Sequence, residues 1–393
     1  MAKATKFETL YGFPRETITL ANWRTRPYSF WSFRNVAEMV RSARIRTVHP
    51  APLPAVANNP ELLARPVSTG ASHTVADLLT QSQADSFLIS KNGKIIAEWH
   101  AGNVDRTDPH LIFSISKSIT ALVAGMLQDQ GLLDPDAPVA SLVPEAKSSA
   151  YADASVQHLL DMRVSLDFDE SYLSEEDYAR YRRAMSWNPP SAKGHDEAML
   201  SFLCSLKKAD GPHGTDHSYL SPNSDMLGIV LERVTGERFP DLCSRLLWQP
   251  LGASADAFIT VDTEGAPRTA GGVSCRPHDL LALGQMLIDG GKANGNQIVS
   301  PRWIADMQTG GDEGVWARGT QADFLATGRY RNNWYQVGAD SKVFLAAGIH
   351  GQFLYCDPDT NTVIVCTSSQ HEPQTDAIDQ PLLAMFSKLS AEA

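Results

Sequence analysis

Cysteine is scarce and scattered: five residues, Cys204, Cys243, Cys275, Cys356 and Cys366, with no C-x-x-C pair among them. An odd, dispersed set argues against a disulfide framework and reads as buried thiols in a reducing, cytoplasmic compartment. The chain contains no H-E-x-x-H, no P-loop and no G-x-G-x-x-G, and its eleven histidines do not cluster at metal-ligand spacing. Neither a metal nor another cofactor is therefore expected. Basic charge is in deficit, 34 Lys and Arg against 45 Asp and Glu, for a formal charge of −11. That disfavours nucleic acid and anionic membrane surfaces, which need basic patches. No apolar run approaches the ~20 residues of a membrane span. Met1 to Tyr11 also lacks an apolar signal-peptide core, so export by that route is not expected. Finally, no G-x-S-x-G elbow exists to present a serine to His217 or His350.

What is present fits a globular protein of 393 residues, 43% apolar and 20% charged, long enough for two lobes. Residues 1–65, rich in Pro, Arg and aromatics, read as an extended arm wrapping the body. Phe87 to Trp99 carries two apolar runs around Lys91-Asn92-Gly93-Lys94, a type I′ hairpin signal. Residues 131–255 read as a helical unit, and a second hairpin is expected from Phe353–Cys356 and Thr362–Cys366. Hairpin, helix, helical insert and returning strands predict an α/β fold. Residues 66–130 with 256–393 would form an antiparallel sheet flanked by helices, with a cleft against the helical lobe.

Ser114-Ile115-Ser116-Lys117 opens a helical pattern from Ser114 to Gly131, with Ile115, Ile119, Leu122, Val123, Met126 and Leu127 as its core-facing stripe. Positions i and i+3 share a helix face, so the Lys117 amine can reach the Ser114 hydroxyl. The plainer reading makes Ser114 an N-cap and Lys117 a solvated first-turn residue. Lysine is mildly disfavoured there by the helix dipole, and Leu111-Ile112-Phe113 suggests a buried entrance. Ser116, at i+2, points off that face. Two more polar segments stand later: Tyr219-Leu220-Ser221-Pro222-Asn223, placed before a helix at Met226 to Val234, and Gly348-Ile349-His350-Gly351-Gln352.

With Leu159-Leu-Asp-Met-Arg-Val-Ser-Leu166 and Ala270-Gly-Gly-Val-Ser274, this ordered set resembles the penicillin-recognising serine hydrolases: class C β-lactamases, D-alanyl-D-alanine peptidases and related carboxylesterases. Within them it is most similar to the nylon-oligomer hydrolases. The resemblance runs from about Phe87 to Val365 and implies a β-lactamase-like fold and an acyl-enzyme. It makes Ser114 the nucleophile, Lys117 its base or proton relay, Tyr219 the shuttle to the leaving group, and the N–H groups of Ser114 and Ile349 the oxyanion hole. Ser221 is the rival shuttle if Ser221-Pro222-Asn223 is read as an S-x-N element. His350 stands where many penicillin-binders carry the lysine of K-T-G, which weakens an antibiotic reading.

The resemblance also implies a substrate loop from Asp169 to Pro190. Tyr172 would act at the scissile amide, Trp187 and Trp334 would line the cleft, and Tyr335 would supply a second aromatic. Arg182 falls where nylon-active relatives place an acidic residue that attracts the substrate's amine. A guanidinium would repel that amine unless Glu175, Glu176 or Asp177 substitutes. The expected partner is a small linear amide or ester, with a homodimer as the one protein assembly considered. The alternatives are a carboxylesterase with weak β-lactamase or D-amino-acid peptidase activity, and a catalytically silent binding module.

Overall fold

A computed structural model describes residues 4–68, 73–172, 177–192, 194, 196–338 and 340–392. Its centre is a seven-stranded antiparallel sheet. The strands run in the order Arg329–Arg331, Trp334–Gln336, Phe344–Gly348, Gln352–Asp357, Thr362–Ser368, Ala84–Lys91 and Lys94–His100. The first hairpin turns where its sequence predicts, with Asn92 at φ 52° and Gly93 at φ 72°, the left-handed pair that a type I′ turn requires.

The central strands are buried on nearly every residue because both faces are covered. Leu88, Phe344, Ala346, Leu354, Val363 and Val365 alternate into the larger core, under the helix Pro277–Ile288. Their neighbours Phe87, Ile89, Leu345, Phe353, Ile364 and Cys366 point the other way, into a second core closed by the helices Asp376–Glu392 and Val75–Gln81. Side chains two apart share a face, so one strand serves two cores. The α/β expectation of an antiparallel sheet flanked by helices holds.

Several boundaries differ from the sequence reading. Residues 1–65 are not simply extended: they carry short helices such as Lys6–Tyr11 and Ser29–Ser32, and a strand, Ser42–Ile45, paired to Ala257–Thr260. Trp23, Trp31 and Phe33 enter the larger core. The helix expected at Met226 begins earlier, at Ser221, because Pro222 suits a first turn. The Ser114 helix, Ile115–Asp129, is buried on all sides as far as Leu127. Its small polar residues are satisfied inside: Ser116 Oγ accepts from Val273 N at 2.9 Å and Ser118 Oγ donates to Asn333 O at 2.7 Å.

Candidate active site

Ser114 stands at the N-terminal end of the Ile115–Asp129 helix, partly exposed among fully buried neighbours. It makes no side-chain cap bond, so the N-cap reading fails. The residue before it, Phe113, sits at φ 43°, a left-handed conformation that costs a non-glycine residue ~1–3 kcal/mol. Ring packing against Phe33 (4.8 Å), His350 (5.2 Å) and Trp187 (6.0 Å) holds it there. Across from Ser114 the strand Phe344–Gly348 ends in a tight turn, with His350 at φ 63° and Gly351 at φ 81°. A Cβ on Gly348 would lie 2.7 Å from Ile112 O and 3.0 Å from Ser114 N. Only glycine lets the two backbones approach this closely. Among the described residues, neither the Ser114 nor the Ile349 N–H meets an acceptor.

The solvated-lysine reading also fails. Lys117 is 1% exposed, and its Nζ lies 2.8 Å from Ser114 Oγ and 2.7 Å from Ala270 O. Burial pushes the amine down to about 7; Glu170 and Asp225 oppose that shift and Arg268 adds to it. The Tyr219 ring centre lies 4.9 Å from Lys117 Nζ, and Ser114 and Tyr335 act on its hydroxyl, lowering its pKa against burial. Burial raises the Tyr219 phenol above its ordinary value, so it stays protonated at neutral pH. Ser221 is occupied elsewhere: its N–H and Oγ–H both donate to the Glu170 carboxylate.

Glu170, Asp225 and Arg268 are the charged residues that the sequence reading missed. Asp225 accepts from Ala270 N at 2.8 Å and from Tyr181 and Arg268, and so fixes the segment whose carbonyl receives Lys117. Arg268 stacks over Tyr181 at 4.7 Å and Trp187 at 5.5 Å. A faint signal was available, since Arg268 stands two residues before Ala270-Gly271-Gly272.

Of the residues expected to meet substrate, Tyr172 and Tyr335 line the crevice at Ser114. Tyr172, Trp187, Arg182 and His350 line an adjoining cavity. Trp187 is also a pin, donating through Nε1 to Thr260 Oγ1 at 3.1 Å. His350 is buried and pushed down to about 4, and its Nδ1 pairs with Gln370 O at 2.8 Å. Trp334 is a correction. It lies fully buried against Phe344 and lines neither space, because adjacent strand residues face opposite ways and Tyr335 holds the site side. Glu175 and Glu176 lie outside the described residues, and Asp177 is exposed at the start of the helix Asp177–Ala184.

A sheet of this order with a partly exposed serine and a buried lysine at one helix end defines a class, and sequence comparison agrees. The chain belongs to the beta-lactamase family, whose model matches residues 72–386. The 6-aminohexanoate-dimer hydrolase of Paenarthrobacter ureafaciens is 35% identical to it over 362 residues, 91% of this chain and 89% of that protein. A lovastatin esterase from Penicillium rubens is 28% identical over 191 residues, 45% of this chain and 46% of the esterase. Among solved structures, a Bacillus anthracis protein provisionally named a 6-aminohexanoate-dimer hydrolase superposes with a TM-score of 0.88. It is 23% identical, over 96% of this chain and 98% of its own. A class C beta-lactamase complexed with cefoxitin gives a TM-score of 0.59 at 15% identity, covering 80% of this chain and 96% of its own. Family and relatives together make the chain a hydrolase. Among the described residues no helix is long and apolar enough to cross a membrane.

Proposed function

We propose that the chain cleaves small linear amides or esters through an acyl-enzyme on Ser114. The observation that carries this is the 2.8 Å contact between Ser114 Oγ and a lysine amine brought to about 7 by burial. Neutral Lys117 donates one N–H to Ala270 O and presents its lone pair to the serine proton. As Oγ bonds to the carbonyl carbon, that proton passes to Nζ and the carbonyl oxygen gathers negative charge. The N–H groups of Ser114 and Ile349 hold that charge, each such donor being worth ~10²–10³ in rate. Collapse breaks the C–N or C–O bond while Tyr219, still a phenol, gives its proton to the departing atom and is resupplied from Lys117. Water then enters by the reverse relay, releases the acid and frees Ser114.

The bonds from Ser221 to Glu170 support Tyr219 over Ser221 as the shuttle. His350, pushed down to about 4, offers no cation in the place of the K-T-G lysine, which supports linear substrates over β-lactams. Residues 66–130 with 256–393 would be the sheet unit and 131–255 the helical unit bordering this cleft. Five free thiols, four of them buried, support a reducing compartment such as the cytoplasm.

Hydrolysis of p-nitrophenyl butyrate tests the reading. Ser114→Ala and Lys117→Ala should abolish turnover, Tyr219→Phe should cut amide cleavage ~10²–10⁴-fold, and Ser221→Ala should do less. Mass spectrometry should show an acyl adduct on the wild type. Turnover that survives in Ser114→Ala sinks the nucleophile assignment; no turnover and no adduct favour a silent binding module.

A further inference from the structure

The cavity beside the nucleophile is walled by Ala21 and Thr25 of the early segment and joins the Ser114 crevice through Tyr172, Ile349 and Pro373. A further cavity of about 310 Å³ shares no lining residue with either among the described residues. It lies behind Tyr219, since its Tyr330 ring packs 6.1 Å from the Tyr219 ring. Its volume falls in the range of small-ligand sites.

The inner wall is His217, 2% exposed, with the ring centres of Trp316 and Tyr330 at 5.1 and 5.0 Å. Among the described residues neither of its ring nitrogens has a hydrogen-bond partner. Arg163 beside it gives one N–H to the carbonyl of Gly214, while its buried Nε has no partner among the described residues. Buried polar atoms are nearly always paired, so groups left bare on a cavity wall mark places for ligand atoms. Burial pushes His217 down to about 4, so at neutral pH its ring offers one N–H donor and one acceptor.

The rest of the lining carries both signs of charge: Asp161, Asp306 and Asp312 beside Arg163 and Arg331. Arg331 is held by Asp161 at 2.6 Å and by Asp306 at 2.9 Å. Asp306 takes its bonds from Arg331 and Asn332 on Oδ2, so Oδ1 can still accept. Asp312 is exposed, and Arg163 acts on it. A lone anion would be repelled by three carboxylates and a lone cation by two guanidinium groups. A short molecule with one charge at each end can face both signs.

We propose that this cavity binds a small zwitterionic amino acid and that the occupant acts on turnover through Tyr219. Its carboxylate would face Arg163 and His217, and its ammonium Asp306 and Asp312. The binding stands apart from the hydrolase reading; the effect on turnover rests on it. Thr320 N donates to His217 O at 3.2 Å, and Tyr219 N donates to Thr320 Oγ1 at 3.0 Å. The Tyr330 ring centre also lies 4.9 Å from that of Tyr335, in the Ser114 crevice. Contiguous packing and hydrogen bonds of this kind can carry coupling between two sites.

Calorimetry on Ser114→Ala tests the site, with glycine, β-alanine, 4-aminobutyrate and 5-aminopentanoate against butyrate and butylammonium. At least one zwitterion should bind ~10-fold more tightly than either singly charged control. Arg163→Gln and Asp312→Asn should each weaken it ~10-fold, and His217→Phe should remove it. Melting curves check that each variant is folded. In the wild type, the same zwitterion at saturation should change kcat for p-nitrophenyl butyrate ~5-fold or more, whereas a ligand lodged beside Ser114 would raise KM alone. No zwitterion preference, or one that survives all three variants, overturns the site. Binding that leaves kcat unchanged overturns the link to Tyr219. A wild type without any turnover would instead sink the hydrolase reading, while calorimetry still decides the site.

Discussion

Lys117 reaches about 7 mainly because it is buried, and the three charges around it set where the balance falls. Its lowered pKa makes the acid limb of activity predictable. kcat/KM for p-nitrophenyl butyrate should rise about tenfold per pH unit below the Lys117 pKa and level off above it, since only the neutral amine accepts the serine proton. Arg268→Met removes a cation and leaves Asp225 uncompensated; both effects favour the ammonium, so the limb should move to higher pH. A flat profile across about pH 5 to 9 would exclude Lys117 as the base. The types and order of Ser114, Lys117 and Tyr219 were legible in the sequence because helix spacing and motif order are local or linear properties. Glu170, Asp225 and Arg268 were not, since their effect is Coulombic and acts between segments far apart in the chain. Trp334 and Tyr335 show the same limit: sequence identifies an aromatic pair, but only strand pairing decides which of them faces the site.

At the scale of elements, the site depends on one strand end meeting one helix end. Gly348→Ala would place a methyl group 2.7 Å from Ile112 O, and the neighbour that must give is backbone. The strand end should shift by several tenths of an ångström, spoiling the Ser114 and Ile349 donors together. Turnover should fall ~10²-fold or more, with the circular dichroism spectrum unchanged. Near-normal kcat would show that the two N–H groups are not the electrostatic centre. Both hairpins were legible, the first because Asn92-Gly93 suits only a few turns. The strands Arg329–Arg331 and Trp334–Gln336 were not: each is three residues long and charged or polar at an end, too short for alternation to show. The turn at Ile349–Gly351 escaped for another reason, since His350 takes a left-handed conformation that its side chain does not advertise.

At the scale of the whole molecule, two cores on one sheet leave room for buried polar residues that respond to acid. His217 and His350 are both pushed from 6.5 to about 4 by burial, and among the described residues neither ring nitrogen of His217 has a hydrogen-bond partner. A lowered folded pKa means that the unfolded chain takes up the protons first. The stability these residues contribute is therefore complete above pH 6.5 and lost as pH falls toward about 4. Buried Asp161, Asp279 and Asp379, raised by desolvation, titrate with the opposite sign, so the difference between proteins is the clean readout. His217→Phe should flatten the fall of the urea midpoint over that interval; an unchanged slope would show that His217 does not contribute. One further consequence concerns assembly of the fold. Trp23 donates to the carbonyl of Trp187 at 3.0 Å, and Arg26 to that of Ser369 at 3.1 Å, a closure spanning 343 residues. The early segment that walls the cavity cannot dock until the late strands exist, and such distant contacts form slowly. Recognition should thus be the last property this chain acquires as it folds, after its sheet and its nucleophile helix are already in place.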